Sequence, residues 1–182
     1  MISDQKPQNI IFVITMILGI VSAAGLTTSA AYYSGSYAIV RYLEITKTDL
    51  RVAGFDPDNH TVNPALLVDF NVKAPPAQTG EAKLTYFTMS VHLNGESFKY
   101  TTLRKNIPLE HRTLYPNYNE NFTVGSTITS ESDKQLLYDA YENDEWVFAI
   151  TLTVFYDIFD SPGVQVRVIA YSHIGPPTGI GG

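Results

Sequence analysis

From Pro7 to Val40 the chain runs 34 residues without an Asp, Glu, Lys or Arg, although those four types make up 16% of its 182 residues. The apolar kernel is IIFVITMILGIVSAAGL at residues 10–26, followed by TTSAA and then by Tyr32, Tyr33 and Tyr37. As a helix rising about 1.5 Å per residue, the kernel spans about 25 Å and its extension to Ala31 about 33 Å, against a hydrocarbon layer of about 30 Å. The spacing predicts a transmembrane helix over residues 9–33 after a short cytoplasmic N-terminus at residues 1–8. Tyr32, Tyr33 and Tyr37 then fall at the far headgroup layer, where amphipathic rings prefer to sit, and Lys6 with the amino terminus forms the basic flank on the near side. This orientation puts the N-terminus inside and the remainder of the chain on the outer face of a cell membrane. Two other readings stay open. Ser29, Ala30 and Ala31 after an apolar run also describe a secretory signal cleaved near Ala31, which would release a secreted subunit. A pilin-like assembly helix is the third.

Gly19, Ser22, Ala23 and Gly25 place small residues along the helix, and small residues let helices approach closely in lipid, where packing drives association. They mark a candidate packing surface for a protein partner in the membrane, although glycine and alanine are also common in spans that touch only lipid.

Beyond residue 37 the apolar period changes to two, the signature of strands with one buried face. Val68, Phe70 and Val72 alternate with polar residues, as do Phe87, Met89, Val91 and Leu93. Asn94-Gly95 follows as a hairpin turn before Phe98 and Tyr100. Trp146 to Tyr156 forms another long alternation, and Val164, Val166 and Val168 a last one after Ser161-Pro162-Gly163. A first strand region, residues 38–55, alternates less cleanly, around Leu43 and Ile45 and then Leu50 and Val52. Residues 130–143 (SESDKQLLYDAYEN) break the pattern with a helical one, Ser130 and Asp133 resembling a capping arrangement at its start. About seven strands and one short helix before the last hairpin predict an all-β fold, an antiparallel β-sandwich of the immunoglobulin/fibronectin-like kind. It occupies residues 34–174, and residues 175–182 (GPPTGIGG) read as a flexible tail.

Twelve basic against 18 acidic residues give a net charge of −6 with no Lys/Arg cluster, so a nucleic-acid partner has no electrostatic footing. The absence of cysteine removes disulfides, thiolate metal sites and thiol nucleophiles together. There is no Gly-rich phosphate loop, nucleophile elbow or His-Glu-x-x-His. His60, His92, His111 and His173 are scattered singly, Asp139, Glu142, Asp144 and Glu145 lack the alternating spacing of a calcium loop, and Asp56 and Asp58 read as turn formers. No catalytic residue, cofactor or metal is therefore expected. Asn59-His60-Thr61 and Asn121-Phe122-Thr123 are sequons, making Asn59 and Asn121 candidate glycosylation sites if the domain is exported. Among 12 tyrosines, Tyr115, Tyr118, Tyr138 and Tyr141 fall in loops or near element ends, where an exposed group would make a partner-binding surface. Tyrosines closing the edges of the sandwich are the equal alternative.

The order of elements resembles the late embryogenesis abundant type 2 family of water-stress and hypersensitive-response domains. The likeness lies in Val62-Asn63-Pro64 entering a strand (VNPALLVDFNV), then LTYFTMSVHLNGESF, NFTVGSTI, the helix, and the paired strands WVFAITLTVFYDI and VQVRVIAY, over residues 38–172. Ala65 stands where the family often has a second asparagine. The resemblance implies a fibronectin-like sandwich without established catalytic residues, usually held at a membrane and associated with stress protection or binding of apolar molecules. The sequence thus points first to a non-catalytic, single-pass accessory or structural subunit of a membrane complex or cell-surface assembly. Its partners would be membrane lipid and proteins met through the helix and the β-domain. A stress-protective or apolar-ligand-binding domain is the alternative.

Overall fold

The computed structural model describes residues 5–77, 79–158 and 165–180. Helix α1 (Gln5–Arg41) leads into nine strands among the described residues: β1 (Glu44–Ala53), β2 (Ala65–Lys73), β3 (Ala82–Leu93), β4 (Glu96–Ser97), β5 (Leu103–Asn106), β6 (Thr113–Leu114), β7 (Asn119–Thr127), β8 (Val147–Asp157) and β9 (Gln165–Ile174). Helix α2 (Glu131–Glu142) precedes β8. The expected turn at residues 161–163 and Val164 lie outside the described residues.

All strand pairs are antiparallel and form two sheets, one ordered β1-β2-β7 and the other β4-β3-β8-β9, with β5 and β6 also on β3. The apolar residues of both sheets enter one continuous core. Phe87 of β3 meets Phe122 of β7 with ring centroids 5.5 Å apart, and Phe70 of β2 meets Tyr171 of β9 at 5.6 Å. The predicted inward sets Val68/Phe70/Val72, Phe87/Met89/Val91/Leu93 and Trp146/Phe148/Ile150/Leu152/Val154 are buried, and Tyr156, the last of that alternation, is half-buried. Asn94 and Gly95 both take positive φ, 52° and 87°, the geometry of the two-residue hairpin. The returning strand is shorter than expected, only Glu96–Ser97, so that Phe98 is buried while Tyr100 is left exposed.

The irregular alternation of the first strand has a local cause. A bulge between Lys47 and Asp49 inserts one residue opposite β2, moving the inward set from Leu43 and Ile45 to Leu50 and Val52. The same shift occurs in β3 between Leu84 and Tyr86. In β9 the face is the reverse of the one its valines advertise. Val166 and Val168 point outward, and Arg167, Ile169, Tyr171 and His173 face the core. Tyr171 and Arg167 are held there by bonds to the start of β1 and the residue before it: the Tyr171 hydroxyl donates to the Ile45 carbonyl at 2.6 Å, and the Arg167 guanidinium to that of Leu43.

Two boundaries differ from expectation. Residues 38–41 are the last turn of α1 rather than the start of a strand, and the helix does not stop at Tyr33. The stretch after β9 is docked, not free, as far as Ile180. Thr178 bridges β1 by accepting from the Val52 amide (2.9 Å) and donating to the Leu50 carbonyl (3.0 Å), and Pro177 is buried. These bonds satisfy edge groups that β1 would otherwise expose.

Candidate functional site

Two features stand apart from ordinary core packing: the exposed apolar helix and its junction with the β-head. Every residue from Pro7 to Ala31 is exposed, and the helix is long and apolar enough to cross a membrane, a test that a signal sequence near an N-terminus also passes. Gly19, Ser22, Ala23 and Gly25 lie in this exposed part. Thr15, Thr27 and Thr28 return their hydroxyls to carbonyls one turn back, which removes their need for water.

The last turns of α1 belong to the head. Ser36, Ile39 and Val40 are buried, whereas Tyr33 and Tyr37 are exposed and Tyr32 half-buried. The helix crosses the loop before β3 at backbone contact: a Cβ on Gly35 would lie 1.9 Å from the Thr79 carbonyl oxygen, and one on Gly80 would lie 2.3 Å from the Ser36 amide nitrogen. Gly80 also needs its positive φ of 109°. The Ser36 hydroxyl donates to the Tyr32 carbonyl at 3.0 Å and accepts from the Glu81 amide at 2.9 Å. The signal for this junction in the sequence is the pair of small residues Gly35-Ser36 inside an otherwise aromatic helical turn.

The four loop tyrosines do not share a surface. Tyr118 and Tyr138 are buried, because each ring fills space under a loop and spends its hydroxyl on backbone. Tyr118 donates to the His111 carbonyl at 2.8 Å, and Tyr138 lies within 3.3 Å of the Asp56 carbonyl and 3.4 Å of that of Asn59, with its ring stacked on His60 at 3.7 Å. Burial raises the Tyr118 phenol above the usual tyrosine range, and Glu120 and Tyr115 push it further the same way. Only Tyr115 and Tyr141 are exposed, Tyr115 edge-on to Tyr118 and Tyr141 against Phe55. Tyrosine as an edge-filling residue is the arrangement adopted at Tyr118 and Tyr138.

Polar side chains in the head are engaged structurally. Asp133, expected near a helix cap, turns into the head instead and accepts from the Lys99 amide (3.1 Å), the Tyr100 amide (3.0 Å) and the Thr101 hydroxyl (2.8 Å). Ser130 is the N-cap residue but makes no side-chain capping bond. Buried Lys134 pairs with Glu131 at 2.6 Å and donates to the His60 carbonyl. On the outward face of the three-stranded sheet, Arg51 binds Asp69 at 2.8 Å and Thr123 donates to Asp69 at 2.6 Å. Among the described residues no three His, Asp or Glu side chains are grouped as metal ligands.

The two sequons differ. Asn59 sits in an exposed turn where the Thr61 amide and hydroxyl donate to its Oδ1 at 3.1 and 2.6 Å. Asn121 lies within β7, its Oδ1 accepting from Asn71 at 2.9 Å and its sequon threonine already committed to Asp69. Three surface clefts of about 280, 340 and 350 Å³ are lined by mixed sets that include Lys105 and Glu120, Glu44 and Lys73, and Arg51 and Asp69.

Known structures offer a comparison of shape. A candidate late embryogenesis abundant protein solved in solution is similar over 91% of this chain and 88% of its own, with 15% identity and a TM-score of 0.48. A protein from Archaeoglobus fulgidus solved by crystallography is similar over 74% of this chain and 95% of its own, with 11% identity and a TM-score of 0.43. No family model matches the sequence, and no curated protein does.

Proposed function

We propose that the chain is a single-pass membrane protein whose two sheets form the layers of an immunoglobulin/fibronectin-like sandwich on the outer face, and that it serves as a non-catalytic accessory or structural subunit of a membrane assembly. The observation that carries this reading is the division of one helix into two environments. Its apolar part, up to Ala31, is exposed, and an exposed helix of that length needs a lipid cover. Its final turns, at Ser36, Ile39 and Val40, are part of the head's core. The continuity favours retention as an anchor over removal near Ala31. A structural role fits the way Asp133, Lys134 and Asp69 are each consumed by partners within the fold. On the outer face, Asn59 is the sequon open to a glycan, since it lies in a turn with its threonine bonded to the asparagine itself, whereas Asn121 lies within β7 and its sequon threonine is held by Asp69.

The test is carbonate extraction of membranes followed by intact-mass measurement of the deglycosylated chain. The anchored protein stays in the pellet at its full 20.2 kDa. Recovery in the supernatant, shortened by the residues up to Ala31, would overturn the proposal.

A further inference from the structure

We propose that the outward face of β3, β8 and β9 is where two copies of this chain pair side by side in the membrane. β9 ends its sheet, and its outward residues Val166, Val168 and Ile174 are 51%, 61% and 81% exposed. Val147 of β8 sits opposite Ile174, Phe155 sits opposite Val166, and Tyr86 of β3 stacks on Phe155 at 4.1 Å, with the Arg104 guanidinium of β5 lying 4.3 Å from the Tyr86 ring centroid as a charge at that edge of the face. The outward positions between them are threonine, serine, alanine and one histidine. Across Tyr86–His92, 147–155 and 166–174 no outward side chain is charged. The outward face of the other sheet carries Asp49, Arg51, Asp69, Glu44 and Lys73. An uncharged sheet face rich in exposed valine is an interaction surface by its chemistry.

The occupant follows from charge, area and orientation. Each copy carries a net charge of −6, so two copies repel least on a face where acidic side chains are missing and charge is confined to the Arg104 edge. Strands of about 33 Å, three abreast at about 4.8 Å, make a flat patch of about 450 Å² per copy, hence about 900 Å² for a pair, just under the lower bound for a specific interface. Such a patch pairs weakly in solution and needs the high effective concentration that confinement supplies. The membrane reading, on which this step rests, supplies it. The strand ends nearest the helix are Glu44 with Lys73, Lys83 with Asp157, and Tyr156 with Gln165. The strands therefore lead away from the end where α1 docks, and the uncharged face forms a side wall of the head. A two-fold axis along the membrane normal brings two such walls together with both spans in one bilayer. The crossing at Gly35 and Gly80 keeps the wall turned one way about the helix.

The chain has no cysteine, so a single introduced one is a clean reporter. Full-length A170C, on the wall, and T46C, on the outward face of the other sheet, are treated in membranes with a short bis-maleimide and resolved by denaturing mass. The expected result is a species of twice the chain's mass for A170C and none for T46C. Adding V168E or S172K to A170C should lower that species roughly tenfold, the effect of about 1.4 kcal/mol. Both positions are exposed, so thermal melting should not move. A170C remaining monomeric, equal cross-linking at both cysteines, or cross-linking only to a protein of another mass would each overturn the pairing. If the chain is found in the soluble fraction the membrane reading fails, and cross-linking in that fraction still decides whether this wall pairs.

Discussion

The Ser36 hydroxyl accepts a hydrogen bond from the Glu81 amide at 2.9 Å, joining the helix to the loop that opens β3. The bond sits where the two backbones cross at Gly35 and Gly80, so helix and head are held by main chain rather than by long, flexible side chains.

Substituting Gly35 by alanine should therefore separate the two. The added methyl would fall on the Thr79 carbonyl, and backbone on backbone has no side chain that can yield. We expect faster proteolysis near residues 41–44 and a lower melting temperature, while Gly19→Ala, whose Cβ meets nothing within 4 Å, leaves both unchanged. Ser36→Ala should cost about 1–3 kcal/mol, since it leaves the Glu81 amide without its partner.

Asp133 is the second point of leverage on stability. Removing its carboxylate strands three donors around Lys99, Tyr100 and Thr101, and Asp133→Ala should lower unfolding free energy by about 3 kcal/mol or more. Denaturant unfolding of the two proteins measures this directly, and a difference below about 1 kcal/mol would show that water replaces the lost acceptor.

At alkaline pH the head should loosen. The Tyr171 phenol is pushed up to about 12 from 10.0, chiefly by burial, with Arg167 opposing the shift. The folded state keeps this proton where the unfolded chain has lost it. Its contribution is complete below pH 10 and disappears as pH rises through about 12. Tyr156 is raised in the same direction, burial again leading. Phenolate absorbance during a pH titration, compared between the wild type and Tyr171→Phe, follows the effect; a Tyr171 that ionises together with exposed tyrosines would contradict it.

Expression in a host that glycosylates the exported chain separates the two sequons. Asn59→Gln should abolish the mass increment removed by deglycosylation, and Asn121→Gln should leave it intact. An increment that survives Asn59→Gln would assign the sugar to the β7 ladder.

Much of the fold was readable because it depends on period. The inward sets of β2, β3 and β8 follow from alternation, as does α2 from helical spacing. What was hidden depends on interactions across the chain. The bulges that rephase β1 and β3 are visible only against the partner strand. In β9, the valines suggest a buried face, yet Arg167 and Tyr171 take it because their polar ends reach the carbonyls of Leu43 and Ile45 at the entry to β1. Thr178 anchors a glycine- and proline-rich tail for the same reason, an open edge elsewhere. Composition alone does not distinguish Tyr118, buried under its loop, from Tyr115, its exposed neighbour three residues away. The junction was missed because Tyr32 to Tyr37 reads as a headgroup girdle, whereas Gly35 and Ser36 within it serve a contact with residues more than forty positions later.

On the proposed membrane reading, the unbroken run of α1 from its exposed apolar turns into the core makes the head a lever. At about 1.5 Å per residue its 37 residues measure about 55 Å, well over the thickness of a hydrocarbon layer, and the helix is continuous from Gln5 to Arg41. In that setting a tilt of the span would swing the sheets through the same angle, and a lateral pull on the sheets would return to the bilayer as torque.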